Sequence, residues 1–244
     1  MKDKTSRISA SMMCANPFFL QKIFSELEKE KIDYLHIDIM DGIFVPNLGI
    51  GLDQIRFMRE STSIPFDFHL MVHEPERILQ LLELQKQDIV SIHYESTFQV
   101  QRTLEKAKNY GCKCFLAVNP ATALSSIEEV LHYIDGINLL MVNPGFSGQK
   151  MVPSCFQKAK KLSYFLAEND CSHLDVEVDG NITLILIFAT YILSNVESYF
   201  LFLNFSMIGD VVTAIKITSF MYSLAVITFF MQNKILYLAN CFQI

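Results

Sequence analysis

The sequence lacks the excess of basic residues that is typical of a nucleic-acid-binding protein. Lys and Arg together number 20 against 26 for Asp and Glu, and the formal net charge at pH 7 is −6. A balance of this sign leaves no electrostatic footprint for a polyanion. We therefore expect no nucleic-acid partner.

Cysteine patterns that bind metals or form disulfides are also missing. Six Cys are present, but Cys112-Lys-Cys114 is too short for a CxxC motif and no zinc-finger spacing occurs. This favours reduced, mostly buried thiols in a cytosolic protein. No apolar segment follows the charged residues Met1–Arg7, so a secretory signal is not expected and a cytoplasmic location is predicted.

The glycine-rich GxGxxG motif of a dinucleotide-binding fold does not follow the first expected strand. Residues 1–182 show instead a regular alternation of strand and helix patterns. The strand patterns lie at 8–13, 34–40, 66–71, 89–94, 113–119, 137–143 and 173–178, with helices between them, including one from Pro75 through Lys86. Such alternation predicts a parallel sheet wrapped by helices. Seven such units in 244 residues favour an α/β fold of the TIM (β/α)₈ barrel type over a doubly wound sheet.

Two of these strands carry polar side chains where burial is expected. In Tyr34–Gly42, His36, Asp38 and Met40 share one face and aliphatic residues share the other, because side chains at i and i+2 point the same way. In His173–Gly180, the residues Asp175, Glu177 and Asp179 form the polar face in the same manner. Strands of parallel sheets are normally apolar on both faces. Imidazole and carboxylate groups in this position indicate a site, most simply a metal site.

Four of the polar residues fall at the C-terminal ends of strands, where barrel active sites lie. They are His36, Asp38, His69 and Asp179. Any one of them alone would more often be a hydrogen-bonded structural group, but four at one barrel mouth predict a shared function. Two imidazoles and two carboxylates suit one divalent ion, Zn, Mn, Fe or Co, and the ligand types do not choose among them.

The two aspartates predict a particular reaction. Carboxylates on opposite sides of a metal suit proton transfer at a carbon beside a carbonyl, with the ion stabilising the enediolate oxygens. One carboxylate removes the proton and the other returns a proton to the opposite face, which inverts the stereocentre. Asp38 and Asp179 are therefore the expected acid/base pair.

Other segments predict contacts with the substrate. The loop of Gly145, Phe146, Ser147 and Gly148 after the sixth strand has backbone N–H groups that could cradle a phosphate. It could equally be an ordinary Pro-Gly turn. The Ser11 hydroxyl is expected either to contact substrate or to be buried and hydrogen-bonded within the protein. Three methionines, Met13, Met40 and Met71, either line the site or pack in the core.

The chain resembles the ribulose-phosphate 3-epimerase family, including its D-allulose-6-phosphate 3-epimerase branch. The matching segments are ISASMMCAN, YLHIDIMDGIFVPN, FDFHLMV, LAVNPAT, MVNPGFSGQK and VEVDGNI, in family order from residue 8 to residue 182. The resemblance implies a TIM barrel and one divalent metal held by His36, Asp38, His69 and Asp179. It also implies that Asp38 and Asp179 transfer protons, that Ser11 and His69 contact substrate, and that the loop from Gly145 to Gly148 covers it. Met40 and Met71 match family methionines, whereas Leu140 stands where the family usually has a third, with Met141 one place later.

Two related barrel enzymes fit less well. A decarboxylase or hexulose-phosphate synthase would show an Asp-x-Lys-x-x-Asp strand, and this chain has no lysine in His36–Asp41. A Schiff-base aldolase needs a strand lysine at the barrel mouth, and none is evident.

The last part of the chain, residues 183–244, departs from the family pattern. There is no charged residue between Gly180 and Glu197 or between Lys216 and Lys234, and the family's Gly-Ser or Gly-Thr turn after strand eight is missing. Gly209 is the only later glycine. We therefore expect the last quarter of the barrel (helix 7, strand 8 and helix 8) to be aberrant or missing. A frameshift or mis-set gene end is favoured, and a membrane anchor and a divergent barrel end stay open. The first two would leave an open barrel with weak activity and a tendency to aggregate.

The expected function is a metal-dependent 3-epimerase of a ketose phosphate, an isomerase of the pentose-phosphate part of carbohydrate metabolism. D-ribulose 5-phosphate, converted to D-xylulose 5-phosphate, is the first expectation for the substrate. The segment Ser11–Cys14 also resembles the allulose-phosphate branch. The alternative from another class is a catalytically impaired remnant that still binds metal. Homo-oligomerisation and membrane contact by the tail stay open.

Overall fold

A closed barrel of eight parallel strands forms the centre of the fold. The computed structural model describes residues 7–180 and 199–203, and only the backbone of the second range. The strands are β1 (Arg7–Ser11), β2 (Tyr34–Met40), β3 (Phe66–Met71), β4 (Ile89–His93), β5 (Lys113–Val118), β6 (Gly136–Leu140), β7 (Asp175–Asp179) and β8 (Tyr199–Leu203). Each strand pairs with the next along the chain, and β8 pairs with β1. This confirms the predicted TIM barrel.

Helices follow the strands. The α-helices are α1 (Leu20–Lys29), α2 (Leu52–Ser61), α3 (Glu76–Leu79), α4 (Val100–Lys108) and α5 (Pro153–Glu168), and a 3₁₀ helix spans Leu124–Tyr133. In α1, Leu20, Phe24 and Leu27 are buried at helical spacing, as an amphipathic helix on a sheet requires. Pro153 begins α5, where its missing N–H costs no hydrogen bond.

The two faces of each strand have different surroundings. In β2, Leu35, Ile37 and Ile39 belong to the same apolar core cluster as Phe24 of α1 and Ile55 of α2. The alternate residues of β2 point into the barrel. Near the N-terminal ends of the strands the interior holds an apolar cluster of three residues, Tyr34, Ile89 and Phe115. Towards the C-terminal ends the interior becomes polar.

Gly136 shows how tightly the lower part of the barrel is packed. A Cβ atom at this position would lie 2.6 Å from the Phe115 ring and 2.8 Å from the Asp175 carbonyl oxygen. Real Cβ atoms do not approach other atoms so closely in a well-packed interior. Only glycine therefore fits beside Phe115 in β6.

The eighth strand is present. The backbone of β8 pairs with β7 through Tyr199 to Leu201 and with β1 through Phe200 to Leu203. A strand therefore stands between β7 and β1, in the region where the last quarter of the barrel is expected to be aberrant or missing. Helices seven and eight, Gly209 and most of the tail lie outside the described residues.

One expected helix is much shorter than the sequence predicts. The pattern from Pro75 through Lys86 predicts a long helix, but α3 ends at Leu79. Glu83 has a left-handed φ of 49°, and the Gln85 N–H donates to the Asp88 carboxylate instead of a helical carbonyl. Side-chain hydrogen bonds of this kind compete with helical ones.

In the described part of the chain, no helix is both long and apolar enough to cross a membrane. The membrane-anchor interpretation of the tail concerns residues outside that part.

Candidate active site

A cleft opens at the C-terminal ends of the strands. Its lining contains Asp38, His69 and Asp179, the methionines Met13, Met40 and Met71, Leu140, and the loop residues Asn143, Pro144, Gly145, Phe146, Gly148 and Gln149. The strand register explains why these side chains meet. Asp38 lies beside His69 and Met40 beside Met71 in the β2–β3 pair, and Leu140 lies beside Asp179 in the β6–β7 pair.

Of the two imidazoles and two carboxylates predicted from the sequence, three line this cleft and the fourth, His36, adjoins Asp38. His69 Nδ1 lies 3.4 Å from Asp38 Oδ1 and 3.2 Å from Asp179 Oδ2. His36 Nε2 lies 3.3 Å from the same Asp38 Oδ1. All four residues are buried.

The geometry of these groups fits a metal ion. Ligands held about 2.1 Å from one ion at tetrahedral angles would be about 3.4 Å apart, close to the spacings found here. His69 Nδ1 is buried and makes no hydrogen bond of good geometry within the described chain. The ligand atoms of His36, Asp38 and His69 lie close enough together to hold one ion.

A buried carboxylate orients His36. Asp67 Oδ2 lies 2.8 Å from His36 Nδ1 and accepts a 2.8 Å hydrogen bond from the Ser9 hydroxyl. Burial acts to lower the pKa of His36, but the adjacent Asp38 and Asp67 carboxylates outweigh it and raise that pKa well above its ordinary value. Because Asp67 occupies Nδ1, the ring presents Nε2 to the cleft, an arrangement common at metal-binding histidines.

Asp38 is held in its charged form. Burial would raise the pKa of this carboxyl, but the attraction of the adjacent His36 and His69 imidazoles holds it far below its ordinary value. The Ser11 hydroxyl, itself buried, donates to Asp38 Oδ2 over 3.3 Å. Ser11 is thus a hydrogen-bonded, buried hydroxyl, and its contact with substrate stays a prediction.

His93 and Glu95 extend the site, and the sequence reasoning missed both. His93 Nε2 lies 2.8 Å from His69 Nε2, and its Nδ1 lies 3.3 Å from Glu95 Oε2. Burial lowers the pKa of His93 to about 4, so this imidazole is neutral near pH 7. The signal for His93 was its spacing from Ser91 at i and i+2, the pattern used for β2 and β7.

The loop after β6 lies over the cleft and is tied to the loop after β2. Asn47 Nδ2 donates to the Gly145 carbonyl over 2.7 Å. Gly145 has a φ of +113°, and a Cβ there would lie 2.9 Å from Val45, so this contact requires glycine. Gly145, Phe146 and Gly148 line the cleft, and their contact with substrate stays a prediction. Ser147 is exposed, and its contact with substrate stays a prediction.

The methionines occupy the positions that the sequence predicts. Met40 and Met71 are buried together with Val45, and Met13 packs against them. Leu140 faces the cleft, whereas Met141 is fully buried in the outer core. Met141 therefore does not replace the third family methionine at this site.

The polar face of β7 divides between different environments. Asp179 reaches the cleft, but Asp175 pairs with Lys113 Nζ at 2.6 Å, near the other end of the strand. Glu177 lies inside the barrel beside Asn138, and both are fully buried. Burial, reinforced by the Asp67 carboxylate, raises the pKa of Glu177 well above its ordinary value.

Comparison with known proteins agrees with this geometry. A model of the ribulose-phosphate 3-epimerase family matches residues 7–191, a range that ends inside the tail. The chain belongs to the ribulose-phosphate 3-epimerase family. Ribulose-phosphate 3-epimerase of Bacillus subtilis is 36% identical over 176 residues, which cover 72% of this chain and 81% of that protein. The chloroplastic ribulose-5-phosphate-3-epimerase of Arabidopsis thaliana is 38% identical over 178 residues, 72% of this chain and 63% of that protein.

Membership in the epimerase family and the names of these relatives support an enzyme of the isomerase class. Solved structures support the fold separately. Orotidine 5'-monophosphate decarboxylase from Sulfolobus solfataricus superposes with a TM-score of 0.60 at 11% identity, over 91% of this chain and 100% of that one. At this identity the likeness concerns the barrel alone.

Proposed function

We propose that this chain is a metal-dependent 3-epimerase of a ketose phosphate, with D-ribulose 5-phosphate and D-xylulose 5-phosphate as the interconverted pair. One observation carries the proposal. Asp38 from β2 and Asp179 from β7 approach the same buried atom, His69 Nδ1, at 3.4 and 3.2 Å inside the cleft. Two carboxylates at one centre are what a two-base inversion requires.

His36, Asp38, His69 and Asp179 are the proposed ligands of one divalent ion. When bound, the ion would stabilise negative charge on the oxygens of an enediolate as a Lewis acid. The donor set of nitrogen and carboxylate oxygen suits Zn, Mn, Fe or Co. The acidity of Asp38 and the orientation of His36 are properties of the chain itself and prepare these atoms for the role.

The chain's residues would carry out the proton transfers. One aspartate removes the proton at C3 of the sugar, and the other returns a proton to C3 from the opposite face. The Ser11 hydroxyl holds Asp38 in place. The methionines Met40 and Met71 give the reacting carbon an apolar wall, and the loop from Gly145 to Gly148 covers the substrate and limits the entry of water.

Exchange at C3 tests the proposal. In D₂O with D-ribulose 5-phosphate and a divalent ion, we expect the wild-type chain to incorporate deuterium at C3 and to form D-xylulose 5-phosphate. We expect Asp38→Asn and Asp179→Asn each to lose epimerisation by about 10²–10⁴-fold, the usual contribution of a general acid or base. Because each aspartate serves one face, each variant should lose exchange at C3 with a different epimer.

Asp53→Asn is the matched control, because Asp53 is exposed on α2 and pairs only with Arg56 in the described chain. A wild-type chain that binds metal yet exchanges no deuterium would support the remnant instead. Faster turnover of D-allulose 6-phosphate than of D-ribulose 5-phosphate would assign the chain to that branch, which Ser11–Cys14 resembles.

A further inference from the structure

We infer that His93 and Glu95 are positioning residues that fix the tautomer of His69 and thereby turn its Nδ1 lone pair towards the metal site. The inference rests on the metal site proposed above. The first observation is a contact between two imidazole rings. His69 Nε2 lies 2.8 Å from His93 Nε2. At that distance one nitrogen must donate a hydrogen and the other must accept it.

Glu95 decides which of the two rings donates. Its Oε2 lies 3.3 Å from His93 Nδ1, and a carboxylate only accepts hydrogen bonds. His93 Nδ1 therefore carries the hydrogen and His93 Nε2 is the acceptor. His69 Nε2 must then donate, so in the neutral ring of His69 the lone pair lies on Nδ1, the atom between Asp38 and Asp179 at which a cation would bind.

Glu95 is itself held by the loop after β5. The backbone N–H of Asn119 donates to Glu95 Oε1 over 3.0 Å, and the Thr122 hydroxyl donates to the same oxygen. Lys158 Nζ from α5 donates to the Asn119 carbonyl over 2.7 Å. The carboxylate thus stays in place, and β4 and the loop after β5 contribute to a site whose proposed ligands lie on β2, β3 and β7.

The isosteric change Glu95→Gln separates this role from a packing role. The Asn119 N–H can only donate, so the new amide oxygen must remain beside it and the NH₂ group must face His93 Nδ1. His93 would then accept at Nδ1 and donate from Nε2. His69 would accept at Nε2 and carry its hydrogen on Nδ1, where it blocks the metal.

Metal affinity and tautomer are both measured in the test. The purified full chain, stripped by a chelator, is titrated at pH 8 with Co²⁺ alone, and binding is followed by visible absorption. We expect Glu95→Gln and His93→Leu to weaken Co²⁺ binding by about 10–100-fold, the usual effect of removing a hydrogen-bond partner of a metal-binding histidine. His93→Gln, whose amide oxygen can still accept from His69, should recover part of that loss.

Two-bond ¹H–¹⁵N correlations report the His93 tautomer directly. We expect hydrogen on Nδ1 in the wild type and on Nε2 in Glu95→Gln. Glu76→Gln is the matched control, because Glu76 also accepts hydrogen bonds, from Thr103 and Lys106, but pairs with no histidine in the described chain. It should change neither the affinity nor the tautomer.

The outcomes separate this inference from the proposed function. If the wild type binds Co²⁺ and Glu95→Gln binds it with the same affinity, the inference is wrong but the proposed metal site stands. The same holds if the His93 tautomer is unchanged in Glu95→Gln. A folded wild-type chain that binds no Co²⁺ would overturn the proposed metal site and the inference with it.

Discussion

At the scale of single residues, His69 lies between the other polar groups of the candidate site. Its Nδ1 faces two carboxylates and its Nε2 faces His93. Each ring nitrogen therefore has polar neighbours, and rotation of the ring would break the contacts on both sides. A side chain held in this way costs little further entropy when it binds a ligand.

A second residue-scale feature is the contact between the loops that flank the cleft. Removing the side chain in Asn47→Ala deletes the 2.7 Å hydrogen bond to the Gly145 carbonyl. A neutral hydrogen bond contributes about 0.5–1.5 kcal/mol, so we expect KM for the sugar phosphate to rise about 2–10-fold with a smaller change in kcat. Steady-state kinetics measures this.

The control for the Asn47 variant is Asn169→Ala. Asn169 also donates to a carbonyl, that of Phe165 at 2.9 Å, but at the end of α5. An equal rise in KM in both variants would show that general loosening, rather than the loop contact, is responsible.

The sequence predicts which polar residues lie at the strand ends, but not which residues surround them. His36, Asp38, His69 and Asp179 were found because alternation on a strand places them on one face at one end of the barrel. Glu95 was missed because it follows β4 in a short 3₁₀ turn, beyond the range of strand alternation. Distances between side chains on different strands depend on register, which sequence spacing alone does not give.

At the scale of elements, one buried ion pair joins α2 to the β3–β4 region. Arg59 Nη1 and Nη2 donate to the two oxygens of Asp88 at 3.1 and 2.7 Å. Asp88 is fully buried and also accepts from the backbone N–H groups of Phe66 and Gln85. The guanidinium carbon lies 3.8 Å above the Phe66 ring centroid. The hydrogen bond from Gln85 also holds the last part of the segment for which the sequence predicts a helix through Lys86.

Breaking the pair should destabilise the fold strongly. In Asp88→Ala, Arg59 and two backbone N–H groups lose their partner, and removal of one member of a buried pair costs about 3–5 kcal/mol. We expect that loss in the free energy of unfolding measured with urea. Asp53→Ala removes a carboxylate from an exposed pair on the same helix and should leave stability unchanged. A similar small effect in both variants would contradict the structural role given to Asp88.

At the scale of the whole molecule, closure of the barrel depends on β8. Its backbone pairs on both sides, and Leu201 is in register with Val178 of β7 and Ile8 of β1. Proline removes a backbone donor and is excluded from the middle of a sheet. We expect Leu201→Pro to open this edge, with a lower urea midpoint and self-association detectable by size-exclusion chromatography. Unchanged stability and a monodisperse profile would show that the described pairing of β8 does not hold the barrel closed.

The sequence predicts the first seven strands because their pattern is regular, but it could not place β8. Tyr199–Leu203 lies within a long apolar stretch, where strand and buried-helix patterns look alike. The family's glycine turn, the usual signal for the end of strand eight, is absent. The pairing of β8 with β1 and β7 depends on tertiary structure, and no local sequence pattern predicts it.

The pairing of β8 with β1 also constrains the order of folding. Strand β1 ends at residue 11 and its partner β8 begins at residue 199, so the ribosome makes β1 long before β8. Contacts so distant in sequence are the slowest to form. We therefore expect β2 to β7 to assemble during synthesis, with closure as a late and separate kinetic phase. Chaperone demand should then depend on how long the rest of the barrel waits for the five residues of β8.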